Sequence, residues 1–215
     1  MTPVQRAVAA TLWVFSCSSC GSAMGQTSMR PSSDTDKGGL LSSLDAPLAL
    51  GGTARPAMRV ELNGSQPPPT HLVSARPDVL STDGTRITGR APGMSAVLVT
   101  TEDGTVLDFV HVWVRRADRI ELHVLGADGS DVGELTDPYE LAVGESLRVL
   151  PRLYAGSQLL SGVSSVKWAI DERVASVLSE GVPQRCRVLA RAPGTATLQV
   201  SMMGASASLP IRVVR

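Results

Sequence analysis

The stretch RAPGTATLQVS at residues 191–201 joins a turn to a segment that alternates strictly between apolar and polar residues. The apolar members of this alternation are Ala196, Leu198 and Val200. This period is typical of a half-buried β-strand. Pro193 fixes φ in the turn, and Gly194 supplies a backbone shape that residues with a Cβ resist. The stretch therefore predicts a sheet with one face in a core and one in solvent.

The same tetrapeptide, Arg-Ala-Pro-Gly, also occurs at Arg90–Gly93. A β-type stretch precedes each copy, and two β-rich segments follow it, ending at 110–114 and 211–215. From Arg86 and Arg187 onward we align the two copies without a gap. An internal repeat of this kind indicates one small unit used twice. We expect Gly93 to have the same role as Gly194.

Further short β-type segments lie upstream of both tetrapeptides, and turn residues separate them. Asp103-Gly104 and Met203-Gly204 are hairpin signals between the paired segments, since glycine readily adopts positive φ. Helical periodicity is absent from the repeats. Many short strands with turns at regular spacing indicate an all-β sandwich. The other predicted segments are 48–52, 58–62 and 71–74 in the first copy, and 119–125, 139–145, 147–153 and 166–170 in the second.

Four motifs of the second copy resemble the bacterial immunoglobulin-like group 2 family: LAVGE at 141–145, Trp168, VASV at 174–177 and APGTA at 192–196. The resemblance covers about 118–215 well and 48–114 loosely. It implies two tandem immunoglobulin-like β-sandwiches, with Gly144 in a Val-Gly-Glu turn. It also implies that Trp168 fills the space between the sheets as the largest single burial, so that Trp168→Ala costs about 3–5 kcal/mol.

The first copy departs from the family pattern. Val73 or a neighbour replaces the tryptophan, and a segment equivalent to Arg119–Leu125 is missing or unrecognisable. We therefore expect residues 47–115 to form a divergent or truncated domain and residues 116–215 to form the better match. The second copy also carries an insertion at Leu178–Arg185.

The N-terminus has the features of a secretory signal at residues 1–16: one basic residue, then an apolar run over Ala7–Phe15. The run is far shorter than the ~20 apolar residues that span a bilayer. Val14-Phe15-Ser16-Cys17 resembles the lipobox of bacterial lipoproteins, which implies a diacylglycerol group on Cys17. Simple secretion and a retained segment remain alternatives. Residues 17–46 are predicted to be a lipidated cysteine and a flexible linker, because Gly21–Ala46 is poor in residues that form a core.

The composition excludes several kinds of site. The formal net charge is zero and no basic stripe carries interleaved aromatic residues, which argues against nucleic acid. No pattern supports a catalytic, cofactor or zinc site. Among the histidines, His111 and His123 are interpreted as solvent-facing strand residues, and Cys186 as a buried, inert thiol. The acidic loop Asp128–Asp137 is interpreted as a solvated turn, with calcium as the alternative.

These observations favour a non-catalytic cell-envelope lipoprotein, most simply at the outer membrane, that acts in adhesion, in partner binding or as a spacer. Its expected partners are the membrane, through the lipid on Cys17, and an unknown protein or glycan. The expected contact surfaces are Gly126–Asp137 and Leu178–Arg185. The alternative is a secreted or periplasmic accessory subunit of a carbohydrate-active or hydrolytic enzyme. Both functions are inferred by analogy with proteins of the same fold.

Overall fold

A computed structural model describes residues 26–31, 46–61 and 68–215. Within these residues the chain forms nineteen strands and no helix, so the prediction of an all-β, immunoglobulin-like fold is confirmed. None of the described residues belongs to a helix that could cross a membrane. The predicted signal peptide 1–16 and Cys17 lie outside the described residues.

The second repeat is a sandwich of two sheets. One sheet has the strand order β11-β10-β13-β17-β16, with β14 also paired to β13, and the other has the order β12-β19-β18-β15. The core between them includes Leu147, Val149, Leu198 and Ile211. Its strands are β10 (Arg119–Leu125), β11 (Asp131–Glu134), β12 (Tyr139–Ala142), β13 (Ser146–Ala155), β14 (Gln158–Leu159), β15 (Lys167–Ala169), β16 (Ala175–Ser179), β17 (Cys186–Ala190), β18 (Gly194–Met202) and β19 (Ala205–Val214).

The first repeat has the same layers, in the orders β2-β9-β8-β5 and β3-β7-β6, together with a β1-β4 pair. Its core includes Leu72, Leu80, Ile87 and Val97. Its strands are β1 (Gln26–Pro31), β2 (Leu48–Ala49), β3 (Thr53–Ala54), β4 (Pro56–Glu61), β5 (Thr70–Ser74), β6 (Leu80–Thr82), β7 (Ile87–Gly89), β8 (Gly93–Thr101) and β9 (Val106–Arg115).

The alternation in the stretch that opens β18 is confirmed. Its apolar side chains are buried, and the polar side chains between them are exposed. Cross-strand partners on β19 follow the same alternation, since Leu198 lies opposite the buried Leu209 and Gln199 opposite the exposed Ser208. The hydrophobic pattern therefore sets the register of this hairpin, because a slip of one residue would turn the apolar set to solvent.

The repeated tetrapeptide makes the same contacts in both repeats. Its first two amides donate to one carbonyl, that of Val79 in the first repeat (2.8 and 3.2 Å) and of Val174 in the second (2.8 and 3.1 Å). The glycines that follow have φ of 148° at Gly93 and 152° at Gly194. A Cβ added there would lie 3.4 Å from a methyl of Val79 and 3.2 Å from one of Val174. Both the conformation and the space therefore favour glycine.

The gap-free alignment of the two repeats is wrong beyond the hairpin turn. Gly93 pairs with Val114, whereas Gly194 pairs with Val213, so the β8–β9 connection is two residues longer. In the second repeat Met203 and Gly204 both have positive φ, 49° and 81°. That is the backbone of a tight two-residue hairpin turn, which the longer connection of the first repeat does not use.

The strand that seemed missing from the first repeat is β1. In the second repeat β10 runs antiparallel to β13, with Arg119 opposite Tyr154. In the first, β1 runs antiparallel to β4, with Gln26 opposite Glu61. The prediction of a flexible linker over 17–46 is therefore wrong for Gln26–Pro31, and the first domain begins before residue 47. Residues 32–45 lie outside the described part of the chain.

The spacing supports this equivalence. The counterparts Gln26 and Arg119 are 93 positions apart, and so are Glu61 and Tyr154. Leu48 and Leu141, which pair in parallel with the last strand of their repeats, are separated by the same interval. The first repeat is divergent in sequence, yet it contains a counterpart of the segment that sequence comparison failed to find.

Trp168 is not fully enclosed by the core. It packs against the core from β15 but remains only partly buried. The reason is its position, because β15 is a three-residue strand at the edge of its sheet, paired on one side to β18. Its counterpart in the first repeat is Leu72 rather than Val73, since Leu72 faces Val99 as Trp168 faces Val200. The expected cost of Trp168→Ala falls below that of a fully buried aromatic residue.

The two repeats are joined by backbone hydrogen bonds. The amide of Ala49 donates to Ser161 (2.9 Å), and that of Ser161 donates to Pro47 (2.7 Å). Thr53 and Val163 exchange two further bonds, of 3.0 and 2.7 Å. Ala49 is fully buried and belongs to the core of the second repeat. The boundary is therefore a short ladder that fixes one repeat against the other.

Candidate functional site

The two surfaces that the sequence indicated as contact regions lie side by side. Arg148, on β13, bridges them. Its Nη1 donates to the carbonyl oxygens of Gly126 (2.9 Å) and Ala127 (3.2 Å), and its Nε donates to the carboxylate of Glu180 at 2.8 and 3.0 Å. A Cβ added at Gly129 would lie 3.4 Å from Nη1 of Arg185. One guanidinium thus holds a loop of the first region against a loop of the second.

The carboxylate of Glu180 is the acidic partner of Arg148 and Arg187. Burial alone would raise the pKa of its carboxyl, but hydrogen bonds and charge attraction from Arg148 and Arg187 outweigh burial and lower the pKa below the ordinary 4.5. Arg187 lies on β17 with its Nε 3.3 Å from the carboxylate. Two guanidinium groups therefore share the carboxylate of Glu180, and the carboxylate of Asp128 also attracts Arg148.

The surface is a shallow depression that is open to solvent, lined by Arg148, Leu178, Ser179, Glu180 and Arg187. Leu178 is 42% exposed and forms an apolar wall. The Arg187 side chain is 48% exposed, so part of its donor fork faces solvent. Guanidinium groups bind carboxylate and phosphate through paired hydrogen bonds. The depression can therefore hold an acidic group beside an apolar one.

His123 is buried, which contradicts the expectation that it faces solvent. The residue is 9% exposed, and its Nδ1 lies 3.0 Å from Oδ1 of Asp131. Its Nε2 lies 3.6 Å from Glu121, and Arg152 pairs with the other oxygen of Asp131. The outward face of β10 is covered by these long side chains of its neighbours β11 and β13. Alternation along β10 alone could not reveal that cover.

Two carboxylates of the acidic loop Asp128–Asp137, those of Asp128 and Asp131, are bound by other protein groups. Asp128 accepts from the backbone amide of Ser130 at 2.9 Å and from its hydroxyl at 2.6 Å. Asp131 is bound to His123 and Arg152. Across residues 26–31, 46–61 and 68–215, no group of three or more His, Cys, Asp or Glu could hold a metal ion.

Cys186 and His111 lie where the sequence predicted them. Cys186 is a free, buried cysteine at the start of β17, and burial raises its pKa to about 12. A thiol with that pKa stays protonated and unreactive at neutral pH. His111 is exposed on β9, where its ring packs edge-on against Phe109 at 5.5 Å. His71 is hydrogen-bonded by Thr100 at 3.0 Å.

Replacing Glu180 tests the importance of the bridge. We expect Glu180→Gln to lower the free energy of unfolding by about 1–3 kcal/mol at pH 7, since it leaves Arg148 without its charged partner. Folding lowers the pKa of Glu180, so the ionised carboxylate stabilises the fold above the unfolded pKa. The difference between variant and wild type should shrink as the pH falls through the lowered folded pKa.

Urea unfolding between pH 7 and pH 3 measures this difference. The matched control is Glu140→Gln, whose partner Arg212 lies 3.2 Å away but whose side chain is 56% exposed. Exposed pairs of this kind contribute at most about 1 kcal/mol. Equal effects of the two substitutions at pH 7 would show that the bridge does not stabilise the loops.

No family model matches the chain, and no curated protein matches it. Three solved structures illustrate the similarities that do exist. Domains 4 and 5 of the S-layer protein SbsC are 19% identical, with a TM-score of 0.30 over 68% of this chain and 77% of that one. A structure of SbsC domains 4–9 is 16% identical, with a TM-score of 0.36 over 90% of this chain and 31% of that one.

FdeC, an adhesin of Escherichia coli, is 16% identical, with a TM-score of 0.35 over 78% of this chain and 60% of that one. Identities and TM-scores this low carry no argument about function. The fold assignment rests on the strands, their register and the two cores of the chain itself.

Proposed function

We propose that this chain is a non-catalytic lipoprotein of the cell envelope that binds a protein or glycan partner through its second repeat. The observation that carries the proposal is the convergence of two loops around Arg148 and Glu180. Surface loops held by a rigid sandwich are common sites of binding. The exposed part of the Arg187 guanidinium at the depression favours a partner that presents acidic groups.

The anchor is the part of the proposal that the sequence motif before Cys17 supports. Each buried CH₂ of an acyl chain contributes about 0.8 kcal/mol, so several chains on one cysteine hold a protein at a membrane. Ser18, directly after Cys17, does not signal inner-membrane retention under the sorting rule of well-studied diderm bacteria, so we place the anchor at the outer membrane. The ladder between the repeats would then keep the second repeat at a fixed orientation to the first.

Detergent partitioning tests the anchor. We expect the wild type produced in a diderm bacterium to enter the detergent phase and the Cys17→Ala variant to remain aqueous, because only Cys17 would carry lipid. Cys20→Ala is the matched control and should partition as the wild type does. If the wild type and Cys17→Ala both stay in the aqueous phase, the proposed lipid anchor is wrong. The alternative, a secreted accessory subunit of an enzyme, is then favoured.

Site-specific crosslinking tests the binding surface. A photoreactive amino acid at Leu178 should capture a protein partner on intact cells, and Arg187→Glu should abolish that capture by reversing the charge at the depression. The same reactive group at Val143, which is also exposed, is the control position. For a glycan partner, binding of acidic oligosaccharides by wild type and its loss in Arg187→Glu is the corresponding result. Capture that is equal at both positions and unaffected by Arg187→Glu would refute the site.

A further inference from the structure

The outer face of the four-stranded sheet in the first repeat is apolar and open to solvent. The register places Met94 beside Trp113, Leu98 beside Phe109, and Val73 beside Leu98. Phe109 is 57% exposed and Trp113 is 51% exposed. These five residues, together with Ala96, form a continuous surface that we call the apolar face. Its members are Val73, Met94, Ala96, Leu98, Phe109 and Trp113.

The second repeat shows that the fold does not require this surface. Apart from Ala169, the counterpart of Val73, the positions that correspond to the apolar face carry polar residues, and Arg212 stands where the first repeat has Trp113. The outward residues of β18 and β19 there are Thr195, Thr197, Gln199, Ser201, Ser206, Ser208, Pro210 and Arg212. Because exposed apolar surface is costly in water, a contiguous patch of this kind marks an interaction site.

The chemistry of the apolar face fits a lipid surface. The polar residues among its outward positions are His71, His111, Arg115 and Thr100, which is buried against His71, and none of these positions carries a carboxylate. Tryptophan is enriched at membrane–water interfaces, where its ring lies at the level of the headgroups. Arginine near an anionic bilayer is attracted to its surface.

The position of β1 brings the apolar face within reach of the membrane. Because β1 begins at Gln26, the eight residues Ser18–Gly25 separate it from Cys17. A chain of that length spans at most about 30 Å. β1 also contacts β9, the strand that carries Phe109 and Trp113. A short tether gives a high effective concentration, so that a weak contact is sufficient.

We propose that the apolar face rests on the bilayer that carries the acyl chains of Cys17, so that the first repeat lies on the membrane and the second presents its loops. The inference rests on the lipid anchor proposed above. A second copy of the chain is the other candidate occupant, and the quenching experiment below distinguishes it from the bilayer.

Quenching by brominated lipid tests the inference. Lipidated protein carrying Trp168→Phe, with Trp113 as the reporter, is reconstituted into vesicles of phosphatidylethanolamine and phosphatidylglycerol, with or without bromine on the acyl chains. We expect bromine to reduce Trp113 emission about twofold, as for a ring at the headgroup level. In the matched control, a Trp113→Phe, Trp168→Phe, Arg212→Trp variant places the reporter at the equivalent position of the second repeat, and its emission should not change.

The outcomes distinguish a failure of this inference from a failure of the proposed lipid anchor. If the protein floats with the vesicles but bromine leaves Trp113 emission unchanged, the anchor stands and the inference is overturned, whether water or another protein covers the face. If the protein does not float with the vesicles, both are overturned. Equal quenching of the two reporters would mean non-specific adsorption and would also overturn the inference.

Discussion

Leu198→Ala is expected to lower the free energy of unfolding of the second repeat by about 2–5 kcal/mol, among the largest effects of any single truncation in this chain. Leu198 is fully buried at the centre of β18 and lies in the core shared by the two sheets. Removing its side chain loses the transfer free energy of three carbon atoms and leaves a cavity, because interiors are close-packed and relax only partly.

Chemical denaturation of the full chain measures this effect. Gln199→Ala, one position along the same strand, is the control, since its side chain points to solvent and its loss should change stability by no more than about 0.5 kcal/mol. If Gln199→Ala were as destabilising as Leu198→Ala, the alternation of β18 and the placing of its two faces would be wrong. Trp168→Ala should rank below Leu198→Ala per carbon removed, because Trp168 is only partly buried.

Gly162→Ala is expected to loosen the boundary between the repeats at a cost of about 2–4 kcal/mol. Gly162 has φ of 109°, a conformation that side chains resist. An added Cβ would lie 2.8 Å from a methyl of Leu48 and 3.3 Å from the Cα of Gly52. Leu48 is itself fully packed, so neither neighbour can give way without moving the hydrogen-bonded ladder that joins the repeats.

Gly181→Ala is the matched control for this substitution. Gly181 also has positive φ, 76°, but an added Cβ would meet nothing within 4 Å. Its replacement therefore measures backbone strain alone, about 1 kcal/mol. We expect Gly162→Ala to separate the unfolding of the two repeats into two transitions and Gly181→Ala to leave one. Identical melting of the two variants would contradict a packed boundary at Gly162.

The strands that the sequence predicted well are those with strong alternation. β18 alternates over its whole length and is bounded by a glycine turn on each side, so periodicity alone suffices. The core position of Cys186 followed from the same argument, because it alternates with Val188 and Ala190 along β17. Local pattern carries such information whenever one face of a strand is buried and the other is exposed.

β1 was missed because its sequence, Gln-Thr-Ser-Met-Arg-Pro, has almost no apolar alternation. Its pairing with β4 uses backbone groups, which leave little trace in the residue pattern. A signal was nevertheless present, since the interval of 93 positions that separates Leu48 from Leu141 also separates Gln26 from Arg119. Comparison of spacing, rather than of residue type, would have found it.

The candidate site was predictable only in its parts. Composition marked Gly126–Asp137, and comparison of the two copies marked the insertion Leu178–Arg185, but their meeting depends on Arg148, which lies on a third element. The burial of His123 depends likewise on side chains from neighbouring strands. The apolar face depends on three strands whose outward residues meet only in the folded sheet. Local periodicity does not predict such contacts between elements that are distant in the sequence.

Hydrogen–deuterium exchange of the peptide that contains Gln26–Pro31 tests the central claim most directly. The two repeats are equivalent sandwiches, the first of which begins at β1, with eight residues between it and Cys17. We expect amides of this peptide to exchange slowly, as do those of its counterpart β10, because both are paired along a neighbouring strand. Exchange as fast as that of an unfolded chain would contradict the account, since the first repeat would then lack its opening strand and the tether would be long.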